Sequence, residues 1–304
     1  MKLNQNYLCE ILPFLESMFS TKTKFVTVRD LMDTKISAEN PKHKPIIEKI
    51  INSIINITPI YSKAEISYSE NEIASHICRS FSQLASVVAL SIQPIIRETP
   101  NNIIVLNLLK IVLLCFKSKH FEISFHTIEV WRKLEDIFSY NSPYKTLFIE
   151  IFQSSLQHCV YPSNLIKNDE NEETLKNFRE NCIDIFQSCF TVLGHQFFIE
   201  QLINLLKTPN LQWSLAESCI FSFNSVQRLI NLDSVKSEIN LIFDTAFKIS
   251  SFNDVLKKTC CQMVTNYKNY ISNNQNYIKQ SLLFLVSSFN SPQQLFASNL
   301  ILNL

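Results

Sequence analysis

The sequence predicts an all-α fold, an α-solenoid built from stacked antiparallel helix pairs, and three observations favour it. Apolar residues recur with helical period along almost all of the 304 residues. Glycine occurs once, as Gly194, although tight two-residue hairpins depend on glycine. Breakers divide the chain into pairs of about 35 to 45 residues, which is the period of HEAT-type repeats with an ARM-like superhelix.

Taken in order, the elements form a single solenoid segment over 1–304. Residues 1–37 are predicted to hold one helix and a polar connection. The predicted pairs within 43–97, 101–140, 142–194, 196–231, 235–270 and 274–304 are 43–57 with 70–97, 101–117 with 119–140, 142–160 with 174–194, 196–207 with 211–231, 235–249 with 253–270, and 274–289 with 292–304. Because 295–304 reads as an apolar helix where a polar cap is expected, we expect a longer array.

Three breakers make specific predictions. Pro59 should close the first helix, since proline in a helix interior removes a hydrogen bond. Pro94 lies inside an apolar segment and should kink or break it. Gly194 follows Leu193 at a predicted helix end, where a left-handed residue would close the last turn.

Three apolar stripes predict helices that are covered by neighbours. Each stripe steps by three or four residues, which places its members on one helix face. The stripes are Phe121, Phe125, Ile128, Trp131, Leu134 and Phe138; Phe178, Cys182, Ile185, Cys189 and Leu193; and Leu256, Cys260, Met263, Tyr267 and Tyr270.

Composition argues against several partners. The formal net charge is +1 and basic residues are scattered singly, so no nucleic-acid contact is expected. The most apolar stretch, 103–116, is interrupted by Asn107 and Lys110 and is too short to insert in a membrane. Nine cysteines without a CxxC predict buried, reduced thiols.

Nothing in the sequence predicts catalysis or a cofactor. Phosphate-binding loops and nucleophile elbows need glycines that the chain lacks. Six histidines lie without metal-ligand spacing, so no metal is expected. An all-α enzyme remains an alternative, but an isoprenoid-synthase site needs an Asp-rich DDxxD motif to hold magnesium, and 168–170 lacks that spacing.

One stretch, 178–221, is recognisable: FRENCIDIFQSCFTVLGHQFFIEQLINLLKTPNLQWSLAESCIF. It resembles the middle of the importin-β (karyopherin-β) nuclear transport receptors, in the transportin-SR and importin-thirteen branch. The residues that carry the resemblance are Phe178, Arg179, Asp184, Gly194, Trp213, Glu217 and Phe221. The stretch 122–134, with Thr127, Trp131 and Leu134, and Tyr161-Pro162 followed by the acidic run 168–173, extend it to about residues 100–230.

The resemblance implies a function as well as a fold. Such receptors bind cargo proteins on the concave face, with serine/arginine-rich splicing factors typical of this branch, and bind FG nucleoporins in apolar grooves. Ran-GTP then releases the cargo, so shuttling between cytoplasm and nucleus and protein import are expected. A HEAT-repeat scaffold unrelated to transport is the alternative.

Two local roles are left open by the residues. The acidic run of Asp169, Glu170, Glu172 and Glu173 could attract a basic segment of cargo or of Ran, or could be a solvated loop whose carboxylates favour the next helix N-terminus. Arg179 is expected to bond a carboxylate such as Asp184 or helix-end carbonyls, or else to lie on a solvated face. Trp131 and Trp213 are expected to be anchors at helix contacts.

Overall fold

The computed structural model describes residues 44–99, 102–138, 144–162, 169–231, 236–249 and 253–287. Within these ranges the chain is helical and contains no strand. The helices are α1 (Lys44–Ile66), α2 (Glu72–Ser91), α3 (Gln93–Glu98), α4 (Ile103–Phe116), α5 (Phe121–Phe125), α6 (Ile128–Leu134), α7 (Lys145–His158), α8 (Asp169–Leu193), α9 (His195–Leu206), α10 (Trp213–Ser225), α11 (Lys236–Ile249), α12 (Asp254–Asn266), α13 (Lys268–Ser272) and α14 (Gln275–Ser287).

The predicted all-α solenoid is confirmed, because each helix packs on its neighbours in the chain and the core is continuous. That core runs from Ile47 to Leu285. Side chains also donate hydrogen bonds to backbone carbonyls about one helix pair away in sequence. Ser82 Oγ donates to Ile123 O at 2.9 Å, and Tyr267 OH donates to Phe223 O at 2.9 Å. These bonds span 41 and 44 residues, so hydrogen bonding and apolar packing follow the same spacing.

The prediction that Pro59 ends the first helix is wrong. Pro59 lies inside α1, which continues to Ile66. Its flanking residues Ile54 and Tyr61 are both fully buried, and this burial on both sides of the proline offsets the lost hydrogen bond. Pro94 behaves as expected: the helix breaks at Ile92, and the proline occupies the first turn of α3.

The single helix expected over 119–140 is also wrong, because it is divided into α5 and α6. Between them, Thr127 Oγ1 donates to Ser124 O at 2.8 Å, and Ser124 Oγ donates to Ser118 O at 2.8 Å. Such local side-chain bonds compete with the helical ladder. The break turns Phe125 outward, and it is 49% exposed although the stripe predicted it to be covered.

The burial predicted for the other two stripes is confirmed at all ten residues, but the single helix expected over 253–270 is wrong, because α12 ends at Asn266 and Tyr270 lies on α13. Gly194 has positive φ, but with φ 85° and ψ 151° it is not the left-handed closing residue we expected. It joins α8 to α9 through a bend of 118°. In this region of backbone space a side chain would clash, so glycine is required.

No single helix in the described residues is long and apolar enough to cross a membrane. The two helices 172–193 and 195–206, joined by a sharp bend, are together long and apolar enough to cross one, by length and composition only. The helices predicted within 1–37 and at 292–304 lie outside the described residues, so the repeat boundaries remain predictions.

Candidate functional site

Three of the residues that carry the family resemblance, Arg179, Glu217 and Phe221, meet at one point in the interior. Arg179 comes from the middle of α8 and Glu217 from α10. The guanidinium makes two parallel bonds to the carboxylate, Nη2 to Oε1 at 2.7 Å and Nη1 to Oε2 at 3.0 Å. Their side chains are 7% and 0% exposed. This is the bidentate geometry that gives the strongest charge-assisted hydrogen bonds.

The Arg179 guanidinium has three further partners. Nη1 also donates to the carbonyl of Cys159, which caps the C-terminus of α7. The rings of Tyr161 and Phe221 lie 4.6 and 4.1 Å from its central carbon, within cation–π range. Burial has the largest single effect on the pKa of Arg179 and lowers it, but the charge and hydrogen bonds of Glu217 together with Cys159 and Tyr161 raise it by more, so the pKa lies above its ordinary value.

The same carboxylate extends the network to the next helix pair. Thr259 on α12 donates its hydroxyl to Glu217 Oε1 at 2.6 Å, and its carbonyl accepts from Asn224 Nδ2 at 3.2 Å. The buried charges therefore connect α7, α8, α10 and α12. We call the set Cys159 O, Tyr161, Arg179, Glu217, Phe221 and Thr259 the arginine node.

The predicted choice of partner for Arg179 is partly wrong. Asp184 is not its carboxylate; Asp184 instead faces Arg132 Nη1 at 3.4 Å, and both of these side chains are about half exposed. The helix-end carbonyl was expected correctly, and the alternative of a solvated face is wrong. Trp131 is fully buried, whereas Trp213 is partly buried against the core.

The acidic run is helical, because α8 begins at Asp169 and not near residue 174 as expected. Glu172 and Glu173 are exposed in its first turns. Carboxylates there favour the positive end of the helix dipole. Asp169 and Glu170 precede them in the same turns. A role for these residues in partner contact therefore stays a prediction.

Two of the grooves on the described surface are each lined by three large apolar side chains. One, of about 480 Å³, lies between α2, α5 and the start of α8 and includes Phe121, Phe125 and Phe178. The other, of about 600 Å³, lies between α11, α12 and α14 and includes Phe247 and Leu283. Sequence reasoning missed the first groove, because it placed Phe125 in a continuous buried stripe.

Titratable groups elsewhere are dispersed. The described part of the chain contains no group of three or more His, Cys, Asp or Glu residues that could hold a metal ion. Every cysteine in the described ranges is a buried free thiol. Burial raises the pKa of Cys78, Cys115 and Cys219 to about 12, and thiols with such high pKa values are poor nucleophiles.

Comparison with known proteins shows a distant similarity over part of the chain. No family model matches the chain. A stretch of 92 residues is 26% identical to mRNA transport regulator MTR10 of Saccharomyces cerevisiae. The stretch covers 29% of this chain and 10% of that protein, so the chain matches about a tenth of its relative's length. The match supports a distant relationship with the importin-β family and does not resolve a branch within it.

Proposed function

We propose that this chain is a segment of a nuclear transport receptor of the importin-β type, in the transportin-SR and importin-thirteen branch. Its helix pairs are HEAT-type repeats. It binds cargo proteins, with serine/arginine-rich splicing factors as the first class to test, and it binds Ran-GTP and FG nucleoporins. It moves between cytoplasm and nucleus and acts without catalysis or cofactor.

The observation that carries this proposal is the arginine node. The resemblance rests on residues far apart in sequence, and Tyr161, Glu217 and Phe221 all contact Arg179 in the structure. Replacing any one of them alone would leave a buried charge or ring poorly matched. Matched residues that depend on each other in this way are better explained by a shared ancestral core than by chance identity. The similarity to a protein named as an mRNA transport regulator supports the same proposal.

The architecture is suited to binding proteins. A stack of helix pairs presents an extended surface that is much larger than a single enzyme cleft. The described surface includes two grooves and exposed carboxylates at the start of α8. The acidic run of Asp169, Glu170, Glu172 and Glu173 is our proposed contact for a basic segment of cargo or of Ran.

Binding to Ran in its two nucleotide states tests this function. Ran loaded with a non-hydrolysable GTP analogue or with GDP is immobilised, and retention of the folded chain is measured on each. A receptor segment should be retained better on the GTP form. Equal retention on both forms, or none on either, contradicts the proposal and favours a scaffold unrelated to transport.

A further inference from the structure

The turn between α9 and α10 carries an exposed threonine that is followed by a proline. Thr208 and Pro209 lie in the connection 207–212, and residues 207–210 are all exposed. The proline disfavours helical backbone at Thr208 and favours the extended backbone that an enzyme can bind. A proline also has no N–H, so an apolar enzyme pocket without a hydrogen-bond acceptor selects it. Thr208-Pro209 is thus the substrate pattern of a proline-directed protein kinase.

A second threonine–proline pair in the described ranges shows why Thr208 is the accessible one. Thr58 and Pro59 both lie inside α1, and Thr58 Oγ1 donates to Ile54 O at 3.0 Å in a part-buried position. A kinase could bind this pair in extended form only by unwinding α1. Thr208 follows the end of α9 at Leu206, so its side chain is reached without opening a helix.

The hydroxyl of Thr208 is only weakly held. Oγ1 donates to Asn204 O in the last turn of α9 at 3.3 Å, in an exposed position. This distance is longer than that of a typical O–H···O bond, so water competes with it readily. The turn 207–212 contains no carboxylate that would repel a phosphate group. The hydroxyl is therefore available as a nucleophile.

We propose that Thr208 is a phosphorylation site for a proline-directed serine/threonine kinase, and that its phosphate loosens the last turn of α9. In the transfer, Oγ1 forms a bond to the γ-phosphorus of ATP while the bond from that phosphorus to the leaving ADP oxygen breaks. The hydroxyl proton passes to the base of the kinase. The inference goes beyond the proposed function and does not require Ran, nucleoporins or cargo.

The phosphate acts on α9 through its charge. Phosphothreonine carries a charge of roughly −1.5 to −2 at pH 7 and has no hydroxyl proton to donate to Asn204 O. It lies at the negative end of the helix dipole, next to Leu205 O, which accepts from Thr208 N at 3.0 Å. The single charge of Lys207 offsets only part of this repulsion. The N-terminus of α10 favours anions but begins five residues farther on, at Trp213.

Mass spectrometry of the kinase-treated chain tests the site. The full chain is incubated with an active mitogen-activated protein kinase and Mg-ATP, and synthetic peptides of residues 203–213 and 53–63 are the unfolded references. Thr208 should accept phosphate in the chain and in its peptide, whereas Thr58 should accept it only in its peptide. Pro209→Ala should lose nearly all phosphate at Thr208, and Thr208→Ser should retain it.

Thermal unfolding tests the effect on α9. Phosphorylation should lower Tm by about 1 to 3 °C, and high salt should reduce the shift. Kinase-treated Thr208→Ala is the control for phosphate added elsewhere in the chain. Thr208→Val removes the hydrogen bond to Asn204 O without adding charge, so it should lower Tm by less than phosphorylation does.

Three results would overturn the inference. They are absence of phosphate at Thr208 in the folded chain, equal phosphorylation of Thr58 and Thr208 in the folded chain, and a phosphorylated chain whose Tm is unchanged or raised. The outcome is independent of the Ran measurement. Failure at Thr208 leaves the transport proposal standing, and failure to discriminate the Ran states leaves the phosphorylation site standing.

Discussion

Arg179 and Glu217 form a bidentate ion pair across 38 residues of sequence, with Nη2 to Oε1 at 2.7 Å, in the interior of the solenoid. The pair joins α8 to α10, and its other partners reach α7 and α12. A buried pair is costly to form, since both ions lose water, and it is retained only where further hydrogen bonds satisfy them. Here Cys159 O and Thr259 provide those bonds.

Removing one member of this pair should be severely destabilising. Arg179→Met leaves Glu217 charged and buried, so the free energy of unfolding should fall by about 3 to 5 kcal/mol. The double variant Arg179→Met with Glu217→Leu removes both charges and should recover much of that loss. Urea denaturation followed by circular dichroism measures both values.

Arg132 supplies the matched control for that experiment. It pairs with Asp184 at 3.4 Å, but its side chain is 47% exposed. Arg132→Met should therefore cost no more than about 1 kcal/mol. If Arg179→Met were as mild as Arg132→Met, the node would not be the structural connection that we describe.

Gly194 should not accept a side chain. With φ 85° and ψ 151°, Gly194→Ala forces Cβ into a region reserved for glycine, and we expect a loss of about 1 to 3 kcal/mol in the free energy of unfolding. Asn210 also has positive φ, at 57°, where glycine is acceptable. Asn210→Gly is thus the control and should change stability little. Thermal unfolding that shifts equally for both variants would contradict this assignment.

The sequence predicted those features of the fold that depend on local residue pattern, and it failed where tertiary contacts decided the outcome. The stripe from Phe178 to Leu193 follows helical period, and its five residues are buried as expected. Pro59 misled us because burial on either side of it is a tertiary effect that overrides a local breaker. The break at Thr127 depends on hydroxyl bonds to Ser124 that a periodicity argument does not register.

The candidate site was less predictable than the fold. Sequence spacing marked Arg179 and Glu217 as matched family positions, but only the packing of α8 on α10 shows that they pair. Asp184 was expected to be the partner because it is nearer to Arg179 in sequence, and that expectation was wrong. The groove at Phe125 could not be expected, since it exists only because the helix breaks there and turns that ring outward.

The buried thiols should be unreactive in the folded chain. Burial raises the pKa of Cys115 and Cys219 to about 12, so both stay protonated at pH 8. The variant Cys9→Ser removes the cysteine that lies outside the described residues. We expect the eight remaining thiols of this variant to react with Ellman's reagent only as fast as the chain unfolds. In urea all remaining thiols should react at once. Rapid modification in the native state would show that the core opens readily.

Stability should fall as the solution is acidified, in part through His158. This side chain donates from Nε2 to Phe116 O at 2.7 Å, and burial lowers its pKa below 6.5. The unfolded chain therefore gains a proton first as pH falls through 6.5, and the free energy of unfolding decreases until the folded pKa is passed.

Urea midpoints at about pH 7.5 and about pH 5.5 measure this dependence. His158→Gln should flatten this dependence, because it removes the buried imidazole whose pKa is lowered. Burial also lowers the pKa of His120 and His126, so some dependence should remain in His158→Gln. An unchanged slope in His158→Gln would contradict the prediction.

The transport proposal is tested most directly by entry into nuclei. The chain is fused to a fluorescent carrier that is too large for passive diffusion and is added to permeabilised cells that have been depleted of soluble receptors. A receptor segment that binds FG nucleoporins should carry the fusion to the nuclear rim and into the nucleus, while the carrier alone stays outside. A folded fusion that is excluded like the carrier would contradict the account.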